Sequence, residues 1–290
     1  MNRAADGGVT SAAPLAAARP FDAPAGWTAI DFISDLHLSP AMPRTFAVWA
    51  GHLRHTAADA IFILGDLFDA WIGDDSRSDP FEAQCWAVLA EAARHRTLAF
   101  MAGNRDFLVG EKLLADCGVT PLPDPTLLSA FGQRVLLTHG DALCLADTDY
   151  QRFRAQVRDA RWQAAALARP LAERRLMARA LRDGSDAHQQ AAVLPVEATD
   201  VDPAETLRLM CEAGASVVVH GHTHRPQSAA FGPGAMRHVL SDWDLDGDPA
   251  RRRAEVLRFT CGGFERIAPA AAPSVASSLH GNSPSNGSTP

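Results

Sequence analysis

Five short apolar runs in this chain each end on a side chain that binds divalent cations, and that coincidence limits the folds open to it. Residues 30–34 run into Asp35-Leu36-His37, and 60–64 into Gly65-Asp66. Residues 98–101 lead to Gly103-Asn104-Arg105-Asp106, and 135–137 to Thr138-His139-Gly140. The last run, 217–219, leads to His220-Gly221-His222-Thr223-His224. Short aliphatic runs bounded by glycine and polar residues read as buried strands. Open α/β sheets bind ligands beyond the carboxyl ends of their strands. The pattern therefore predicts that Asp35, His37, Asp66, Asn104, His139, His222 and His224 gather at one edge of one sheet. His220, last in a buried run, reads as a buried support rather than a ligand. The scattered His52, His55, His95, His188, His238 and His280 read as structural.

Amphipathic stretches at 44–55, 80–95, 110–117 and 203–213 alternate with these runs, which argues for βαβ units. Asp79-Pro80 and Asp202-Pro203 are N-cap and first-turn pairs for two of the helices. The segment 147–200 is too long for a loop and reads as two or three helices forming a cap. Residues 236–240 and 255–259 suggest an antiparallel hairpin. Residues 1–26 and 268–290, rich in Ala, Pro, Gly and Ser, read as disordered tails around a domain at 27–267.

A net charge of -7 argues against a nucleic-acid binder, and no obligate protein partner is evident. Five cysteines without a Cys-x-x-Cys pair, and no apolar leader, predict free thiols in the cytoplasm. Residues 150–182 nevertheless carry nine arginines against Asp159 and Glu173. Arginine interleaved with Leu and Trp is how a segment lies on an anionic membrane surface. Asp69, Asp74 and Asp75 read as turn or orienting groups, Asp106 as support for a motif histidine, and Trp71 as a packing residue.

The ordered set Asp-x-His, Gly-Asp, Gly-Asn-Arg-Asp, His and Gly-His-x-His resembles the calcineurin-like metallophosphoesterases from Asp35 to His224. The resemblance implies an α/β four-layer sandwich, two mixed sheets flanked by helices, with a helical cap insertion. It also implies two divalent ions, one held by Asp35, His37, Asp66 and His224, the other by Asp66, Asn104, His139 and His222. A shared water, ionised between the ions, would then be the nucleophile. Arg105 stands where many such phosphatases carry histidine. Arginine clamps phosphate oxygens bidentately but does not donate a proton. A leaving phosphate that ionises near pH 6 needs no acid, so Arg105 favours diphosphate cleavage.

A narrower resemblance is to the UDP-2,3-diacylglucosamine diphosphatase family of lipid A biosynthesis. Phe68-Asp69-Ala70-Trp71-Ile72-Gly73-Asp74-Asp75 and Tyr150-Gln151-Arg152-Phe153-Arg154 carry it. It implies hydrolysis at the α-phosphorus to UMP and 2,3-diacylglucosamine 1-phosphate, most often with Mn2+, by an enzyme peripheral on the cytoplasmic face of the inner membrane. Asn104 and Arg105 are the implied catalytic contacts to the diphosphate. Asp147, Tyr150, Ser185, Gln189 and His222 are the other implied substrate contacts, and Ala192 replaces a lysine common in the family. The alternatives are a soluble nucleotide-diphosphate or phosphodiester hydrolase on the same core, and a non-catalytic scaffold.

Overall fold

The computed structural model describes residues 17–180 and 199–272. Two six-stranded sheets form its centre. One has the order β1 (Arg19–Asp22), β6 (Thr126–Ala130), β7 (Gln133–Thr138), β8 (Val217–His220), β10 (Met236–Val239), β9 (Gln227–Ala230). The other has the order β12 (Gly263–Ile267), β11 (Val256–Thr260), β2 (Ala29–Ile33), β3 (Ala60–Leu64), β4 (Thr97–Met101), β5 (Val119–Leu122). Both are mixed: β2 to β5 run parallel, with β11 antiparallel to both β2 and β12, and β7, β8 and β10 run parallel with β6 and β9 antiparallel.

Side-chain alternation sets the layers. Ile30, Phe32, Phe62 and Leu64 meet Leu128, Val135, Leu137 and Val219 in a core between the sheets. Ile33, Ile61 and Ile63, on the opposite face, pack against α1 (Pro43–His55), α2 (Pro80–Ala92) and α3 (Glu111–Asp116) through Trp49, Leu53, Leu89 and Leu114. The cap contributes α4 (Thr148–Val157), α5 (Ala160–Leu167) and α6 (residues 171–180). Beyond the second sheet, Leu136 and Val218 pack on Leu209 and Met210 of α7 (Pro203–Ala213). The result is the expected sandwich of helices, sheet, sheet and helix.

The expectation of one sheet fails. Strands β2, β3 and β4 belong to one sheet and β7 and β8 to the other, so the metal-binding strand ends converge across two sheet edges. An apolar run reveals burial but not sheet membership. The hairpin of β6 and β7, turning through Phe131 and Gly132 at φ 50° and 76°, starts the second sheet. The hairpin expected between 236–240 and 255–259 is also absent, since β10 and β11 lie in different sheets. Each takes a nearer partner, β10 with β9 and β11 with β12, and the latter turn needs only Cys261 and Gly262. Short loops close at lower entropy cost than long ones.

The tail boundary at residue 26 falls too late. β1 pairs in parallel with β6, and Phe21 packs edge-on against Phe62 at 5.1 Å. An edge strand with one large apolar residue has no period to betray it. Both predicted helix starts occur. Asp202 caps α7 by accepting from the Glu205 N–H at 2.8 Å, whereas Asp79 makes no capping bond and pairs with Arg175 of α6.

Candidate metal centre

The seven predicted side chains stand at or just past strand ends, five of them in a backbone shape that strands do not use. Asp35, His37, Asp66, His222 and His224 have φ of 55°, 47°, 54°, 66° and 52°. Non-glycine residues at positive φ cost of order 1 kcal/mol or more and cluster at functional sites. The neighbouring glycines give room. A Cβ on Gly103 would overlap the Asp66 carboxylate, and one on Gly221 would overlap Asp35.

The side chains form two linked groups. Ligand atoms of Asp35, His37 and His224 lie within 4.8 Å of one another, as do those of Asp35, Asp66 and His139. His224 Nε2 is 3.4 Å from Asp35 Oδ1 and 3.2 Å from His37 Nε2. Asp66 faces both directions, 4.0 Å from His37 Nδ1 and 3.8 Å from His139 Nε2. Asn104 Oδ1 completes the second group, 3.0 Å from His139 Nε2 and 2.9 Å from His222 Nδ1. The backbone N–H of His222 donates to both oxygens of Asp35, and that of Arg105 donates to Asp66 Oδ1 at 2.8 Å.

The electrostatics call for positive charge. Burial, reinforced by Asp106 and Asp35 against the pull of His139, raises the Asp66 carboxyl to about 7. Burial lowers the His139 imidazole, but Asp66, Asp141 and Asp35 outweigh it and lift the pKa to about 9. Burial, with His224 beside one ring and His139 beside the other, drives His37 and His222 down to about 3. His139 Nδ1 lies 2.8 Å from the Leu64 carbonyl. With an Nδ1–H committed there, Nε2 faces Asn104 Oδ1 at 3.0 Å, and the raised pKa keeps on it the proton whose place a cation would take. An imidazole nitrogen and an amide oxygen beside buried carboxylates form a donor set for a cation. The residues fit divalent ions.

His220 is fully buried, bonds the Gly221 carbonyl through Nδ1, and joins neither ligand group. Trp71 packs on Phe68 and Trp86 at 4.8 and 5.3 Å. Asp74 accepts from Trp71 Nε1 and the Gly110 N–H, while Asp75 takes Arg174 of α6 in a two-point ion pair. Among the described residues no histidine bonds Asp106, which accepts from the N–H groups of Gly103, Leu67, Asp66 and Phe68 and meets His139 through charge.

Asp147 caps α4 through the Tyr150 N–H. Tyr150 donates its hydroxyl to Asp141 at 2.7 Å and sets its ring 5.7 Å from that of His222. Ser185 and Gln189 lie outside the described residues. Four arginines of the basic insert turn inward, Arg154 and Arg158 to Asp141, Arg174 to Asp75 and Arg175 to Asp79, while Arg152, Arg161, Arg169 and Arg179 stay exposed.

Sequence reasoning missed Asp242 and Arg253. Asp242 pairs with Arg253 and lies 3.8 Å from His224 Nδ1, while Arg253 donates to the His224 carbonyl at 3.1 Å. Neither belongs to a spaced motif, so no signal marked them. Together these features define a metal-dependent hydrolase, and the chain belongs to the calcineurin-like phosphoesterase family, matched over residues 28–226.

Within that family it is similar to the UDP-2,3-diacylglucosamine hydrolase of Xanthomonas oryzae pv. oryzae, 45% identical over 234 residues, 77% of this chain and 95% of the relative. The UDP-2,3-diacylglucosamine hydrolase of Stenotrophomonas maltophilia is 42% identical over 243 residues, 80% of this chain and 95% of its own length.

Proposed function

We propose that the protein hydrolyses the diphosphate of UDP-2,3-diacylglucosamine at the α-phosphorus, giving UMP and 2,3-diacylglucosamine 1-phosphate for lipid A biosynthesis. The observation that carries this reading is the meeting of seven ligand-type side chains at the two sheet edges in a chain 45% identical to hydrolases of that name. Asp35, His37, Asp66 and His224 would hold one ion, and Asp66, Asn104, His139 and His222 the other. The 4.0 and 3.8 Å approaches of Asp66 to His37 and His139 support its shared role. Two divalent ions, Mn2+ in this reading, activate a water and neutralise phosphate charge when bound.

The chain's own groups do the rest. The backbone of Arg105 holds Asp66, and its guanidinium is assigned to the diphosphate oxygens, where a fixed fork stabilises charge developing on the leaving phosphate. No acid is assigned to the leaving group. Asn104 and His222 complete the diphosphate contacts, and Asp147, Tyr150, Ser185 and Gln189 are assigned to the glucosamine. Peripheral association with the cytoplasmic face of the inner membrane rests on Leu167 and Leu176 of the cap, 42% and 64% exposed, together with the exposed Arg152, Arg161, Arg169 and Arg179. No helix among the described residues is long and apolar enough to cross a membrane.

UMP release from UDP-2,3-diacylglucosamine, measured beside UDP-glucose, tests the reading. The lipid substrate should turn over with Mn2+, stop on chelation and recover on adding Mn2+ back, while UDP-glucose stays at background. Equal rates on both substrates would sink the lipid assignment and favour a soluble nucleotide-diphosphate hydrolase. Activity indifferent to chelation would sink the metal centre.

A further inference from the structure

The junction between α4 and α5 grips the loop that carries Asn104. Arg158 closes α4, and its guanidinium donates to the carbonyl oxygens of Gly103 at 2.9 Å and Ala102 at 3.2 Å. The same group lies over the Phe107 ring, 5.7 Å from its centroid, and Phe107 meets Trp162 of α5 at 6.2 Å. The loop is thus held on both sides of Asn104, by its carbonyls before and its ring after. Asn104 Oδ1 sits between His139 Nε2 and His222 Nδ1. The same helix makes a second tie, since Tyr150 and Arg154 both donate to Asp141, two residues past His139. The other ligand group is fastened from elsewhere. The Trp243 N–H donates to the Asp35 carbonyl, and Arg253 and Asp242 flank His224.

We propose that Arg158 is a positioning residue for Asn104, through which the cap governs one of the two ion sites and leaves the other alone. The inference rests on the dimetal reading above. Asn104 is the one uncharged, non-imidazole member of the set, so its contribution depends on where its oxygen is held more than on charge. A guanidinium spans two carbonyls with a rigid fork, whereas an ammonium reaches them with a single point charge. Residues that orient ligands are worth about 10- to 100-fold in metal affinity. A substrate seated against α4 would thereby act on the Asn104 site before any chemistry.

The test is Mn2+ titration of the full-length metal-free chain, read by calorimetry and by the spin coupling of the ion pair. Wild type should bind two ions and show a coupled pair. Arg158→Ala should bind one ion at wild-type affinity and the other at least about tenfold more weakly, with the coupled signal giving way to an isolated ion. Arg158→Lys should recover part of the difference, and turnover in Arg158→Ala should fall in kcat more than KM rises. Two ions bound in Arg158→Ala at wild-type affinities overturn the proposal. So does equal weakening of both ions with a lowered melting temperature of the metal-free chain, which marks a merely structural residue. Failure of the wild type to bind two ions overturns the dimetal reading itself.

Discussion

Asp106 is the residue on which two of the metal-bearing loops turn. It is fully buried and accepts from four backbone N–H groups, two at 2.8 Å and two at 3.3 and 3.4 Å. Those donors lie at 66–68 and 103, so one carboxylate fixes the exits of both β3 and β4. Replacing it by alanine leaves buried N–H groups without acceptors, each costing about 1–3 kcal/mol. Asp106→Ala should lower unfolding free energy by about 3 kcal/mol in urea titration and weaken metal binding. A loss below about 1 kcal/mol with unchanged metal affinity would refute the role. The ligands themselves were legible in the sequence because each follows an apolar run and most sit beside glycine. Asp242, Arg253 and Arg158 were not, because an isolated charged residue names no partner until the chain is folded. Asp106 lay within a motif, yet its four backbone partners were not legible: sequence gives spacing along the chain and not the turn of a loop.

At the scale of elements, the cap shows the same division. Its helical content followed from length and periodicity, and α4 and α5 begin at aspartates that cap them, Asp147 and Asp159. Its attachment was not legible. Charge along a sequence carries no direction, so the stretch gave no sign of which arginines are received by Asp75, Asp79 and Asp141 from distant segments and which stay exposed. The β10 and β11 pairing failed for a related reason: loop length favoured nearer partners over the expected one. Among the described residues, Arg174, 6% exposed, ties α6 to the body through the half-exposed Asp75 and the Ile72 carbonyl. Removing it takes the charge-assisted donor from both acceptors. Arg174→Ala should make opening of the cap about 2 kcal/mol easier and raise its cleavage in limited proteolysis roughly thirtyfold. The melting temperature of the body should hardly move. Unchanged cleavage, or collapse of the whole fold, would refute a local tether.

Across the whole molecule, one buried charge network ties layers that the metal centre does not reach. Asp31, on the helix-facing side of β2, is fully buried. It accepts from Arg258 of β11 at 2.7 and 2.9 Å and from Thr56, and faces His52 of α1 at 3.3 Å. The Ala270 N–H donates to the other nitrogen of His52, which draws the C-terminal segment onto the same network. Burial pushes the Asp31 carboxyl up, but the facing His52 and the bonds from Arg258 and Thr56 prevail and hold it at about 2. The sign follows from linkage: a carboxyl whose folded pKa is depressed binds its proton more readily when unfolded. Its stabilisation is therefore complete above the unfolded value of about 4 and disappears as pH falls through 2. A shift of this size corresponds to about 2 kcal/mol. Unfolding free energy of wild type and Asp31→Asn, compared by urea titration from pH 7 downward, should differ by about that amount at neutral pH and converge between pH 4 and pH 2. Asp31 lies away from the ligand set, so Mn2+ binding at pH 7 should be the same in both proteins. A gap that stays constant through acid would mean that Asp31 acts by packing alone, and a gap that widens would mean that folding raises its pKa instead of lowering it.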